Sequence, residues 1–205
     1  MCGGCVVANM KREIEGKLQE KCPFCRKAMP ETDEEFNKQL MKRVGANDPF
    51  AMCQMGTERY KAGDYNAAFE YWTKAAALGD VEAHFNLSIL YRDGQGVEKD
   101  EERALHHSIE AAIAGHPNAR YNLACVEEEY GRVDRAVKHY IIAAKLGHDK
   151  SLESVKNLYK AGFVSKDDFA AALRGHQAAI DATKSPQREE AAELAKRLCA
   201  KGRVI

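Results

Sequence analysis

The amino-acid sequence predicts an all-α protein, an α-solenoid of stacked helical hairpins with a small cysteine-rich head at its N-terminus. Three observations carry this. A pattern of alanines and glycines recurs along the chain, its leading alanines at positions 51, 83 and 119 and thus 32 and 36 residues apart. Within each copy, apolar residues fall three and four positions apart, the spacing of one helix face. Four of the seven cysteines crowd into the first 25 residues as two C-x-x-C pairs. Composition agrees with a globular chain: of 205 residues, 45% are hydrophobic and 30% charged. Lys+Arg and Asp+Glu both total 31, which gives no electrostatic support for bulk nucleic-acid or polybasic membrane binding. No apolar stretch approaches the ~20 residues of a membrane span. The opening apolar run is too short for a secretory signal, and Lys11-Arg12 follows it rather than preceding it. The expected setting is the cytoplasm or nucleus, with neither nucleic acid nor membrane as a partner.

The head covers residues 1–31. Cys2-x-x-Cys5 and Cys22-x-x-Cys25 flank the segment Val6–Lys21. In a reducing compartment such pairs read as metal ligands before disulfides, and an odd cysteine total argues against a closed disulfide framework. Four thiolates in two pairs have the count and spacing of one tetrahedral structural zinc site. Ala8–Glu20 suggests a helix long enough to fold one pair back onto the other. A redox role lacks the βαβ context that the motif requires. Acylation of Cys2 and Cys5 is an alternative without a polybasic neighbour, and Cys2 excludes myristoylation.

Residues 32–46 read as a capping helix. Thr32-Asp33-Glu34-Glu35 is a capping box that opens a helix running through Arg43. Phe36, Leu40 and Val44 share one face, suited to packing on the first repeat or, alternatively, to docking a partner. The repeats then occupy residues 47–183. Three units superimpose: Ala51–Gly79, Ala83–Gly115 and Ala119–Gly147. Each carries an apolar residue four positions after its leading alanine (Met55, Leu87, Leu123) and an alanine doublet (Ala75-Ala76, Ala111-Ala112, Ala143-Ala144). A terminal glycine follows, fit for the left-handed position that ends a helix. Mid-unit breaks at Gly63-Asp64, Gly94-Gln95-Gly96 and Gly131-Arg132 divide each unit into two helices, and the middle unit carries a four-residue insertion within Asp93–Asp100. A fourth, degenerate unit starts near Ser151, with Val155, Tyr159, Gly162 and Phe169. No single hairpin can bury its apolar face, so successive hairpins must stack. Residues 185–205 read as a C-terminal capping helix, opened by Ser185-Pro186 and bearing Ala191, Leu194 and Leu198 on one stripe.

The middle unit, Ala83-His-Phe-Asn-Leu87 … Tyr91-x-x-Gly94-x-Gly96-Val97-x-x-Asp100 … Ala104 … Ala111-Ala112-x-x-Gly115, resembles a Sel1-like repeat. The first, with Met55-Gly56, Gly63-Asp64-Tyr65, Ala68 and Tyr71-Trp72, resembles the related tetratricopeptide repeat. The resemblance implies a non-catalytic adaptor whose first helices line a concave face that holds a peptide or partner protein. Carried over by position, that face includes Thr57, Phe85, Asn86, Ile89, Arg92, Tyr121, Asn122 and Asn157. Phe85 and Tyr121 are the anchors expected for an apolar side chain. Asn86 and Asn122 occupy equivalent places suited to a bound main chain.

Cys22-Pro23-Phe24-Cys25-Arg26-Lys27-Ala28-Met29-Pro30 resembles the end of a RING-type finger, and Met1-Cys2-Gly3-Gly4-Cys5 resembles its preceding C-x-x-C. The combination is similar to a RING-like/Sel1 family abundant in algal genomes. A complete RING would imply ubiquitin-ligase activity through a docked E2 enzyme, with the solenoid recruiting substrates. The family pattern has further ligands upstream of Cys2, and in a cross-braced RING the two pairs would belong to different zinc sites. Three arrangements stay open: one four-cysteine site, an unmetallated remnant, or a chain whose true start lies upstream.

No P-loop, Gly-x-Ser-x-Gly or His-Glu-x-x-His motif occurs in the sequence, so no enzyme constellation is expected. His116 and His148 each follow a repeat-ending glycine, and His107 and His139 share a slot with Tyr71, which assigns them to repeat packing rather than to a metal. Glu127-Glu128-Glu129 reads as a solvated helix face.

Overall fold

The computed structural model describes residues 33–184. Among them are nine helices and no strand: α1 (Asp33–Gly45), α2 (Pro49–Lys61), α3 (Tyr65–Ala77), α4 (Val81–Asp93), α5 (Glu101–Ile113), α6 (Pro117–Glu129), α7 (Val133–Lys145), α8 (Asp149–Lys160) and α9 (Lys166–Thr183). From α2 to α8 each helix packs on the next, so the hairpins α2–α3, α4–α5 and α6–α7 stack as a solenoid, with α8–α9 as a fourth. Leu40–Asp181 forms one compact unit, and the described residues outside it belong to another. The four head cysteines and the expected C-terminal helix from Ser185 lie outside the described residues.

The repeat glycines and the residues after them set the geometry. Gly79, Gly115 and Gly147 have φ of +85°, +92° and +89°, the left-handed region that glycine enters without steric cost. Just beyond each, the backbone N–H of Asp80, His116 or His148 returns to the first carbonyl of the alanine doublet, on Ala75 (3.0 Å), Ala111 (2.9 Å) and Ala143 (3.1 Å). This bond is the 6→1 link of a Schellman cap. The side chain of the same residue then caps the following helix. Asp48 and Asp80 carboxylates accept from the N–H of Ala51 (3.2 Å) and Ala83 (2.8 Å). His116 and His148 do the same through Nδ1, from Ala119 and Ser151, both at 3.1 Å. Asp80, His116 and His148 therefore each close one helix and open the next, which fixes the step between hairpins. The helices accordingly begin two residues ahead of the leading alanines, which are third-position residues and fully buried.

Trp72 anchors the first core cluster, together with Met52, Ala68, Leu87 and Leu90. It is 3% exposed, and its indole N–H donates to the Cys53 carbonyl at 3.1 Å. Gly56 makes room for it: a Cβ there would sit 2.5 Å from Trp72 Cδ1. Leu40 is buried and Val44 packs against the same cluster, which places the C-terminal half of α1 on the first repeat. A second cluster joins Val137, Tyr140, Val155, Val164 and Ala172 across the last two hairpins. Full burial of a side chain such as Leu87 or Val155 contributes about 2 kcal/mol. The insertion of the middle unit is also packed. Gly96, at φ +71°, lies where a Cβ would meet the Tyr65 backbone at 2.7 Å, and the Tyr60 hydroxyl donates to Gln95 at 2.9 Å. The longer turn thus seals the preceding hairpin.

Candidate functional site

Two sequence slots meet at every step of the stack: the residue two after the leading alanine, and the cap residue of the next hairpin. At the first step they are Cys53 and Asp80. Burial pushes the Cys53 thiol far up, and the carboxylates of Asp80 and Glu82 add to that shift. At the second step Phe85 stacks on His116, with ring centroids 4.3 Å apart and planes at 21°. At the third, Tyr121 meets His148 at 4.8 Å and 44°. His116 spends both ring nitrogens: Nδ1 accepts from Ala119, so Nε2–H donates to Glu82, 3.1 Å away. That hydrogen bond holds the Glu82 carboxyl below its ordinary value. Burial lowers the pKa of His148, Lys150 and the neighbouring histidines act in the same direction, and Asp149 opposes them.

Along the first helices, Phe85 and the Tyr121–His148 pair border a groove of about 580 Å³. Phe85 (α4) and Tyr121 (α6) supply apolar ring surface, and Asn118 and Asn122 supply amides that can donate and accept. The start of α8 closes one side with Gly147, His148, Asp149 and Lys150. The combination of apolar body and convergent amides suits a peptide, whose backbone offers both donors and acceptors.

Of the residues expected on this face, Phe85, Tyr121 and Asn122 come together in the groove. The others are placed elsewhere. Thr57 donates its hydroxyl to the Cys53 carbonyl at 3.1 Å, and Asn86 lies beside the Cys53 thiol. Ile89 is half-buried and Asn157 exposed. Arg92 forms a two-pronged pair with Asp93, at 2.8 and 3.1 Å. Sequence reasoning missed Asn118, His148 and Lys150. The signal was available, because His116 and His148 align with Asp48 and Asp80, which are good cap residues.

His84 and His107 pack together. His107 Nδ1 lies 3.0 Å from His84 Nδ1, and its ring stacks on Tyr91 at 5.7 Å. Burial, with the charges of His84 and His106, lowers its pKa to about 4. Of the Glu127–Glu129 segment, Glu128 and Glu129 are exposed as expected of a solvated face, while Glu127 is half-buried and pairs with Arg132 and Arg135; Glu128 also accepts from the Tyr140 hydroxyl at 2.7 Å. Among the described residues, no group of three or more His, Cys, Asp or Glu could hold a metal ion, and no helix is long and apolar enough to cross a membrane.

Comparison with known proteins places these hairpins. The chain is 32% identical over 123 residues to chitin synthase regulatory factor 4 of Schizosaccharomyces pombe, covering 57% of this chain and 19% of that protein. It is 26% identical over 175 residues to DAP3-binding cell death enhancer 1 of Mus musculus, covering 66% of this chain and 34% of that one. It thus spans between a fifth and a third of these relatives. A Sel1 repeat protein from Oxalobacter formigenes has the same fold, with a TM-score of 0.58 at 23% identity over 83% of this chain and 71% of that one. The Sel1 repeat model matches at residues 43–80, 81–116 and 117–148, the α2–α3, α4–α5 and α6–α7 hairpins with their glycine–cap steps, and the chain belongs to the Sel1 repeat family.

Proposed function

We propose that the protein is a non-catalytic adaptor that holds a peptide or a segment of a partner protein in the groove bordered by Phe85, Tyr121 and Asn122. The single observation that carries this reading is the convergence of two aromatic rings and two side-chain amides on one groove along the first helices. Apolar anchors would take a partner's side chain while Asn118 and Asn122 bond its main chain, and Lys150 favours an acidic residue or C-terminus nearby. Sel1 solenoids are typical protein-interaction modules, and the mouse relative is named for binding another protein. Thr57, Asn86, Ile89, Arg92 and Asn157 belong to the same proposal as outlying contacts.

The test is selection of peptides from a displayed random library on the full chain, followed by titration against Asn122→Ala/Lys150→Ala. Both side chains line the groove without entering the ring stacks, so stability should be unchanged while affinity falls about tenfold or more. Undiminished affinity would place the binding site elsewhere.

For the head, the proposal is one structural zinc held by Cys2, Cys5, Cys22 and Cys25, resting on their spacing alone. Elemental analysis should find close to one zinc per chain, lost in Cys22→Ser/Cys25→Ser. A RING-type ligase is the alternative; ubiquitin transfer with a panel of E2 enzymes, dependent on Cys22 and Cys25, would establish it over a purely passive adaptor.

A further inference from the structure

A second groove lies between α5, α6 and α7, lined by other residues than the first. Leu105, Ile109 and Ile113 recur every four residues along α5 and remain 42%, 38% and 68% exposed. They form a ridge of about 12 Å at 1.5 Å per residue. Beside it runs a groove of about 380 Å³ floored by Ala112, Leu123 and Val126. Tyr130, 70% exposed, stands on its far wall.

The charge around this groove is one-sided. Arg120, Arg132 and Arg135 line it, against the single carboxylate of Glu127. Glu127 is already engaged by Arg132 and lies 3.8 Å from Arg135. Arg120 has no carboxylate partner among the described residues; its Nε is buried without a hydrogen-bond partner, and its Nη1 reaches only His139, 3.5 Å away. His139 reports the same field. Burial lowers its pKa first, the positive charges of Arg120 and Arg135 lower it further, and Glu127 opposes them. A guanidinium in this state is matched by a carboxylate, which it can meet with two parallel hydrogen bonds.

We propose that this groove docks an amphipathic, acidic helix of a partner protein, its apolar stripe against Leu105, Ile109 and Ile113 and its carboxylates on Arg120, Arg132 and Arg135. A straight ridge at four-residue spacing is the surface that another helix packs against, and the guanidiniums select its charge. The site is independent of the groove along the first helices, so one chain can hold two partners at once.

The test uses the full chain and a fluorescein-labelled helical peptide of about five turns, with leucines on one stripe and glutamates flanking it. The control replaces every glutamate by lysine. Anisotropy should show binding of the acidic peptide alone. Affinity should fall about tenfold or more for Arg132→Ser/Arg135→Ser and for Ile109→Gln/Ile113→Gln, with no change for Asn122→Ala/Lys150→Ala. Should the isoleucine variant not fold, the arginine variant on a folded chain decides alone. Equal binding of both peptides, no binding of either, or loss with the Asn122/Lys150 variant would overturn the proposal. So would self-association of the chain, by sedimentation, that Ile109→Gln/Ile113→Gln abolishes, since a second copy would then be the occupant.

Discussion

The first joint of the stack and the two that follow solve one geometric problem with different chemistry. At the first, the facing slots hold Cys53 and Asp80, and close approach does the locking: Gly96 lays the inserted turn of the second hairpin on the Tyr65 backbone of the first. At the later joints, Phe85 stacked on His116 and Tyr121 tilted against His148 lock by ring contact. A Cβ added at Gly115 or Gly131, the glycines on either side of α6, would meet nothing within 4 Å. The step glycines do not follow that division: a Cβ at Gly79 would also meet nothing, and one at Gly147 would meet Ala179 at 3.4 Å. The joints that carry aromatic rings are where the peptide-sized groove lies.

The largest effect should come from breaking the tight joint. Gly96→Ala must strain a positive φ and push a methyl into backbone, and should cost about 3 kcal/mol or more in denaturant unfolding. Gly115→Ala carries the φ strain with open space around it and should cost about 1–2 kcal/mol. Equal losses would remove the distinction between the joints.

At the second joint, His116→Ala removes a helix cap and a ring stack and should cost about 2 kcal/mol. His116→Asp copies the residue of the first joint and should recover the cap but not the stack, about half of that loss. A full recovery would mean that the stacking contributes nothing.

Acid should discriminate between the regions more gently. The fold keeps His107 neutral down to about pH 4, against an ordinary value of 6.5. Its pKa is lowered by folding, so its contribution is complete above about 6.5 and is lost as pH falls toward 4. His139 and His148 shift in the same direction. The first repeat carries Tyr71 in the slot of His107 and His139, and His107→Tyr should flatten the fall in thermal midpoint across that window. An unchanged slope would assign the acid sensitivity to other groups. The smallest effect belongs to the exposed Arg92–Asp93 pair, where Arg92→Ala should change stability by no more than about 0.5 kcal/mol.

The repeat period, the paired helices and the glycine stops were legible in the sequence because they are local. A left-handed residue after an alanine doublet, and an apolar residue every three or four positions, need no distant partner. The same locality located Phe85, Tyr121 and Asn122, which share a register between adjacent units. Asn86 shares that register as well, yet lies beside Cys53 rather than in the groove, because its neighbour across the joint is different. The sequence by itself determined a Sel1 solenoid and the order of its hairpins. Only the tertiary structure decided that the histidines after the glycines are helix caps, that Glu127 is held by arginines, and that Arg120 faces a groove with no carboxylate bonded to it. Those outcomes depend on which side chains the packing of neighbouring helices and turns brings together, such as Arg132 and Arg135 on Glu127 and His139 beside Arg120, because burial and charge are set by those neighbours.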